Sequence, residues 1–206
     1  MRNIEMSEPS DPISSEALLG QRVRTQRNKL DWTLEQASHA TGLARSTLSK
    51  IENGLMSPTY DALIKLATGL KIDISELFEP TEKISGSGRR SISRKGCGQS
   101  HHTPYYDHVL LCNDMSNKDM IPFKTRILAR SFDDFEEWSR HTGEEFVYVL
   151  TGEIELFTEY YEPVRLSPGD SWYIDSRMGH RVISVSPENA EVLWVSTTNP
   201  RATKSV

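Results

Sequence analysis

The spacing of apolar residues changes near the middle of this chain, and this change constrains the fold more than any other feature. From Glu16 to Glu79 the apolar side chains recur at the intervals of three and four residues that are typical of amphipathic helices. After residue 100 they form short runs, many of them β-branched or aromatic, that are separated by turn residues. The sequence therefore predicts an α + β protein with two domains, the first all-α and the second all-β.

Length and composition agree with this division and place its boundaries. A chain of 206 residues has room for two compact units. We predict a flexible tail at 1–14, a helical domain at 15–80, a basic linker containing Gly and Ser at 81–100, and a β domain at 101–206. No stretch approaches the ~20 consecutive apolar residues of a membrane span, and the N-terminus lacks the apolar core of a signal peptide. The sequence thus predicts a cytoplasmic protein that does not bind a membrane.

Five short helices are predicted in the helical domain, and the second and third carry the clearest signals. Thr33, followed by an acidic and an amide residue, is a typical N-cap for a helix over 34–40. Gly42 then stands where a tight turn needs a residue that tolerates positive φ. The next helix, over 45–52, places Leu48 on its inner face and leaves a face of small or cationic residues outside. Such a face can enter a DNA major groove.

The charge distribution supports a nucleic-acid partner although the net charge is −5. Residues 21–50 hold six Lys and Arg side chains against two Asp and Glu, whereas residues 98–206 hold 17 acidic side chains against 10 basic ones. Attraction to phosphate depends on the local field and not on the total charge. Positive charge is therefore concentrated where the helices are predicted.

The segment from Thr33 to Gly54, TLEQASHATGLARSTLSKIENG, resembles the lambda-repressor-like helix-turn-helix family of the xenobiotic-response-element type. The turn glycine and the terminal Glu-Asn-Gly match, and the resemblance extends over residues 16–79. It implies a five-helix domain that binds double-stranded DNA through the helix at 45–52. By the resemblance, the residues in base-contacting positions are Arg45, Ser46 and Lys50. The residues in positions that commonly touch phosphate are Thr33, Thr47 and Asn53.

The β domain contains eight predicted strands and a set of side chains that could hold a metal. His141 precedes Glu145 by four residues at the start of one strand, and His180 opens another strand. Two histidines and one carboxylate can bind a divalent transition metal and leave positions open for water or a ligand. The alternative is that the two histidines only form hydrogen bonds at the mouth of a barrel.

The segments WSRHTGEEFVYVLTG and PGDSWYIDSRMGHRVISV resemble the two motifs of the cupin superfamily. The resemblance implies a double-stranded β-helix, or jelly-roll, barrel, with His141, Glu145 and His180 as ligands of a divalent metal such as Zn, Fe, Ni or Mn. Ser139 stands where the family has its first histidine, so that one of the four usual ligands is missing.

The two motifs together resemble the cupin-bearing branch of the helix-turn-helix regulators. That resemblance implies a sequence-specific transcriptional regulator without enzymatic activity, which forms a homodimer through the cupin domain and senses a small-molecule effector. Two alternatives stay open, because the same triad occurs in enzymes. One is a mononuclear non-haem iron enzyme resembling hydroxypropylphosphonate epoxidase, and the other is a cupin isomerase with a vestigial N-terminal domain.

Overall fold

The structure is a computed structural model that describes residues 15–78 and 88–197. The predicted N-terminal tail and part of the predicted linker lie outside these residues. The described chain forms a helical domain followed by a β domain, in the order that the change of periodicity predicts. No helix in these two ranges is long and apolar enough to cross a membrane.

The helical domain contains four α-helices in the described residues, so the prediction of five is wrong. They are α1 (Ser15–Lys29), α2 (Leu34–Thr41), α3 (Arg45–Glu52) and α4 (Tyr60–Leu70). The fifth segment, Ile74–Leu77, is a single turn of 3-10 helix. Its two buried apolar residues are three positions apart, which suits a helix with three residues per turn, and four residues are too few for an α-helical hydrogen-bond ladder.

The turn between α2 and α3 has the local structure that the sequence predicts. The hydroxyl of Thr33 accepts a hydrogen bond from the backbone N–H of Gln36, and the Gln36 side chain accepts one from the backbone of Thr33. This capping box satisfies N–H groups that the helix start would leave unpaired. Gly42 has φ +69°, the left-handed conformation that a turn here requires. The helix-turn-helix geometry is therefore encoded locally.

Helix α1 packs closely against the buried side of α3. A Cβ atom at Gly20 would lie 2.3 Å from the carbonyl oxygen of Ile51, so only glycine fits at this crossing. Leu48 and Ile51 are fully buried in the same helical core. The orientation of α3 is thus set by packing against α1.

The β domain consists of nine strands in the described residues. They are β1 (Gln99–His102), β2 (Tyr106–Leu110), β3 (Met120–Ile127), β4 (Glu144–Thr151), β5 (Ile154–Thr158), β6 (Tyr161–Leu166), β7 (Ser171–Asp175), β8 (His180–Ser184) and β9 (Glu191–Thr197). The eight predicted strands correspond to β2–β9. Strand β1 was not predicted, because its sequence Gln-Ser-His-His, which spans the predicted boundary between linker and β domain, has no apolar alternation. It pairs with β2 at the edge of the sheet.

The predicted closed barrel is wrong, because the strands form two separate sheets. One sheet has the order β1-β2-β3-β9-β4-β7 and the other has the order β6-β5-β8. An isolated bridge joins Ser139, in the loop before β4, to His180 at the start of β8, and no strand pair among the described residues links the two sheets. Gly152, with φ +72°, turns the chain out of β4 and into β5 of the other sheet. The two strands are therefore consecutive in the chain but are not hydrogen-bonded neighbours.

Candidate DNA-binding surface and metal centre

The outer edge of α3 is accessible to solvent. The residues predicted to contact bases, Arg45, Ser46 and Lys50, are all exposed. On the opposite side of the same helix, Leu48 and Ile51 are fully buried. The β domain does not cover this edge, so a duplex can reach it. The arrangement is the one that recognition helices present to the major groove.

The residues predicted to touch phosphate have different surroundings. Thr33 is exposed and serves as the N-cap of α2, and Thr47 is half-buried. The side-chain amide of Asn53 donates to the carbonyl of Ser49 at 2.7 Å and accepts from Arg24 Nη2 at 2.6 Å. The Asn53 amide therefore ends α3 and joins it to α1. Thr33 and Thr47 lie on the same domain as the exposed edge of α3.

Glu52, the last residue of α3, forms a buried ion pair that the sequence analysis missed. Its carboxylate lies 2.6 Å from Arg27 Nε and 3.3 Å from Arg24 Nε, and the Glu52 side chain is 2% exposed. The hydrogen bond to Glu52 outweighs partial burial and raises the pKa of Arg27. The basic residues of α1 were a signal for phosphate contact. Arg24 and Arg27 instead pair with Glu52 and fix α3 to α1.

The three predicted metal ligands come together inside the β domain. Strand alternation points Glu145 inward beside Val147, whereas Phe146 points outward. His141 lies in the loop before β4, and His180 begins β8 of the other sheet. All three residues are buried, and their ligand atoms lie within 4.8 Å of one another.

The hydrogen bonds of the two histidines direct one nitrogen of each ring toward Glu145. His141 Nδ1 lies 3.1 Å from the carbonyl of Thr142, and His180 Nδ1 lies 2.9 Å from the carbonyl of Met178. Because a carbonyl only accepts, each Nδ1 carries the proton and each neutral ring keeps a lone pair on Nε2. These Nε2 atoms lie 2.9 and 3.4 Å from the Glu145 carboxylate.

This donor set fits a divalent cation. His141 Nε2 and Glu145 Oε2 are buried and form no hydrogen bond with any described residue, although His141 Nε2 is close to the other carboxylate oxygen. Two nitrogen lone pairs and a carboxylate that converge on one point are satisfied by a cation placed between them. Glu145 Oε1 also accepts a hydrogen bond from Ser196 at 3.1 Å, which holds the carboxylate in place.

The cluster favours an ionised Glu145. Burial alone would raise the pKa of this carboxyl, but His141, His180 and the Ser196 hydroxyl together lower it. Burial likewise opposes protonation of His141, yet contact with Glu145 raises the pKa of that histidine. The site therefore holds a negative charge that a metal or a proton on histidine can balance.

Both domains of the chain match known protein families. A family model described as "Helix-turn-helix" matches residues 23–77, and one described as "Cupin domain" matches residues 133–196. The chain is a cupin-bearing helix-turn-helix protein. All six candidate DNA-contacting residues lie in the first match, and the three candidate metal ligands lie in the second.

The curated relatives of this helix-turn-helix protein are transcriptional regulators by name. The regulator SutR of Escherichia coli (strain K12) is 32% identical over 69 residues, which cover 34% of this chain and 39% of the relative. The regulator SlrR of Bacillus subtilis (strain 168) is 32% identical over 74 residues, 34% of this chain and 49% of the relative. The chain thus spans less than half the length of these two. The regulator PuuR of Escherichia coli (strain K12) is 26% identical over 90% of this chain and 98% of its own.

A solved structure shows the same fold over most of the chain. An HTH_3 family transcriptional regulator from Vibrio cholerae superposes with a TM-score of 0.63 at 20% identity, covering 91% of this chain and 98% of that one. Hydroxypropylphosphonic acid epoxidase from S. wedmorenis has a TM-score of 0.48 at 20% identity, over 90% of this chain and 100% of that chain. A likeness at this second level supports no inference about activity.

Proposed function

We propose that this protein is a sequence-specific DNA-binding transcriptional regulator whose cupin domain senses a small ligand. The observation that carries the proposal is the two-sided character of α3. Its outer edge is exposed and carries Arg45 and Lys50, while its aliphatic side is buried. The names of the relatives agree with this function, and the match to PuuR covers 98% of that regulator. The Arg45 guanidinium is suited to bidentate hydrogen bonding with guanine, and Thr33, Thr47 and Asn53 occupy the positions proposed to touch phosphate.

The protein acts as a homodimer that joins through the cupin domain. Strand β4 presents Phe146, Tyr148 and Leu150 to solvent, and Tyr173 lies opposite Phe146 on the edge strand β7. An exposed apolar face of this kind is a typical site of association. A dimer places two copies of α3 on half-sites about 34 Å apart, one helical turn of DNA. A ligand that favours one dimer geometry then changes the affinity for the operator.

The triad holds a divalent metal in this proposal. His141 and His180 bind it through Nε2, and the Glu145 carboxylate neutralises part of its charge. Their Nδ1 hydrogen bonds to backbone carbonyls keep both rings in position. A metal held there would supply a Lewis acid for an oxygen atom of a ligand. The burial of all three side chains excludes bulk water from this point.

A mobility-shift assay tests the proposal. The probe is DNA from upstream of the neighbouring gene, and wild type is compared with Arg45→Ala. We expect binding that weakens steeply with salt and a loss of about 1–3 kcal/mol in the variant, the discrimination expected of one good bidentate contact. Arg165→Ala is the matched control, because Arg165 is an exposed arginine of the cupin domain. Fe(II)-dependent turnover by a protein without affinity for DNA would instead support the iron enzyme as the function.

A further inference from the structure

The first residues of α4 enter the mouth of the cupin domain. Tyr60 belongs to the helical domain, yet its ring lies 4.9 Å from that of Phe123 on β3 and 6.2 Å from that of His108 on β2. It also meets the metal-ligand candidate His141 edge-on, with the ring centroids 5.6 Å apart. The Tyr60 side chain is buried among residues of the other domain, next to the triad.

Tyr60 occupies space that a ligand would need. The cavity that remains around the triad has a volume of about 30 Å³, and its walls include Tyr60, Asp61, Glu145, His180 and Trp194. A water molecule has about this volume in the liquid, whereas small-molecule sites are roughly ten times larger or more. The cavity at the triad therefore has no room for a small-molecule ligand while the phenol ring stays in place.

Polar contacts fasten the same segment to the cupin domain. The hydroxyl of Ser139, which precedes the triad residue His141 by two positions, donates to the Asp61 carboxylate. His101 Nε2 lies 2.7 Å from the carbonyl of Pro58, and the Ser57 hydroxyl donates to the carbonyl of His102. These contacts hold the start of α4 against the opening of the pocket.

The Tyr60 hydroxyl extends to the side chains that surround the triad. It is buried beside the hydroxyl of Ser196, which donates a hydrogen bond to Glu145 Oε1. The phenol therefore ends at the side chain that holds the triad carboxylate in place.

We propose that Tyr60 is the lid of the triad pocket, and that a ligand binds by taking the place of its phenol ring. The space that Tyr60 leaves is walled by Phe123 and His108 and ends at the triad. It suits a small planar molecule with an oxygen donor. Leu63 and Leu66 hold α4 in the helical core, so displacement of its start moves the DNA-binding domain. This last step rests on the proposed function, whereas the lid itself does not.

Free 4-methylphenol, the analogue of the tyrosine side chain, tests the lid without a metal. It should raise the melting temperature of Tyr60→Ala by several degrees in a saturable manner, because a ligand that binds only the folded state stabilises it. It should not change the melting temperature of wild type or of the control Tyr161→Ala, which alters an exposed tyrosine on β6. Equal shifts in all three proteins, or none in Tyr60→Ala, would overturn the proposal.

A reversible cross-link tests whether the lid controls access to the triad. Asp61→Cys and Ser139→Cys join two side chains that already touch, in a background with Cys97→Ser and Cys112→Ser. With Co(II) as the probe, removal of the metal by EDTA should be at least tenfold faster in Tyr60→Ala than in wild type. It should be slower in the oxidised cross-linked protein and recover with reductant. Equal rates would contradict the lid, and if no Co(II) binds, the 4-methylphenol titration decides alone.

The same cross-linked protein separates this proposal from the proposed function. We expect its affinity for operator DNA to differ several-fold between the oxidised and reduced forms, because oxidation fixes the domains. Identical affinities would contradict the proposal that movement of α4 changes DNA binding, but they would not contradict the role of Tyr60 as a lid. A protein with the expected Co(II) release but no affinity for DNA in either form would contradict the proposed function alone.

Discussion

Arg27 Nε of α1 lies 2.6 Å from the Glu52 carboxylate at the end of α3, and both side chains are largely buried. The Arg27 Nη2 atom donates to the second carboxylate oxygen at 2.9 Å, so the pair is bidentate. Loss of one partner leaves the other charge buried. We expect Glu52→Gln to lower the free energy of unfolding by about 3 kcal/mol, as for other broken buried pairs.

Urea unfolding monitored by circular dichroism measures this change. Glu35→Gln is the matched control, because Glu35 is exposed on α2, and its unfolding should stay within about 0.5 kcal/mol of wild type. A loss in Glu52→Gln that is as small as in the control would show that the ion pair does not fix α3.

Gly20, at the contact of α1 with α3, and Gly42, in the turn between α2 and α3, should differ in their tolerance of alanine. Gly20→Ala pushes a Cβ into the Ile51 carbonyl of α3, whereas Gly42→Ala meets nothing within 4 Å and strains only φ. We expect Gly42→Ala to cost about 1–2 kcal/mol. Gly20→Ala should cost more and also weaken DNA binding, because it displaces the recognition helix. Thermal unfolding and the mobility-shift assay together distinguish the two. Full DNA affinity in Gly20→Ala would contradict this role.

His108 should make the protein sensitive to acid. Burial, together with the smaller effect of neighbouring His101, lowers the pKa of His108 to about 3, although Asp107 and Glu145 oppose the shift. The unfolded chain binds a proton near pH 6.5 and the folded protein does not, so stability is complete above that pH and is lost as the pH falls toward 3. The slope from this group is up to about 1.4 kcal/mol per pH unit.

A His108→Gln variant checks this pH dependence. Glutamine does not titrate, and it can keep a hydrogen bond to Thr125, which lies 2.9 Å from His108 Nδ1. The free energy of unfolding should therefore fall less steeply in the variant between pH 6.5 and 4. His102→Gln changes an exposed histidine and serves as the control. Identical slopes in His108→Gln and wild type would contradict the assignment.

Metal content should depend on the triad. We expect Glu145→Gln and His180→Ala to lose metal after expression and dialysis, because each removes one of three ligands. Elemental analysis by mass spectrometry measures the metal per chain. His102→Ala is the control, since His102 is exposed on β1. An equal metal content in the triad variants and in wild type would show that the metal binds at another site. A wild-type protein without metal would contradict the proposal that the triad holds one.

The exposed face of β4 and β7 should hold the dimer together. Phe146→Glu introduces a charge beside Tyr173 and should shift the protein from dimer to monomer in size-exclusion chromatography with light scattering. Met120→Glu is the matched control, because Met120 is an exposed apolar residue on β3. A Phe146→Glu variant that remains dimeric would assign the interface to another surface.

The elements that the sequence predicted are those whose signals are local. The N-cap at Thr33 and the left-handed turn at Gly42 depend on neighbours within a few residues, and both are confirmed. The spacing of His141 and Glu145 at the start of one strand was likewise local, and the structure places both side chains in the interior. Strand β1 was missed because Gln99–His102 is stabilised by pairing with β2 and has no pattern of its own. The last predicted helix failed because four residues cannot complete an α-helical ladder.

The sequence by itself determined the two domains, the helix-turn-helix and the three residues of the triad, because periodicity, capping and motif spacing are properties of short segments. Only the tertiary structure decided that Glu52 pairs with Arg27 and that Tyr60 closes the pocket beside His141. Residues far apart in the chain form these contacts. Burial and charge pairing across domains depend on how the helices and sheets pack, and no local pattern records that packing.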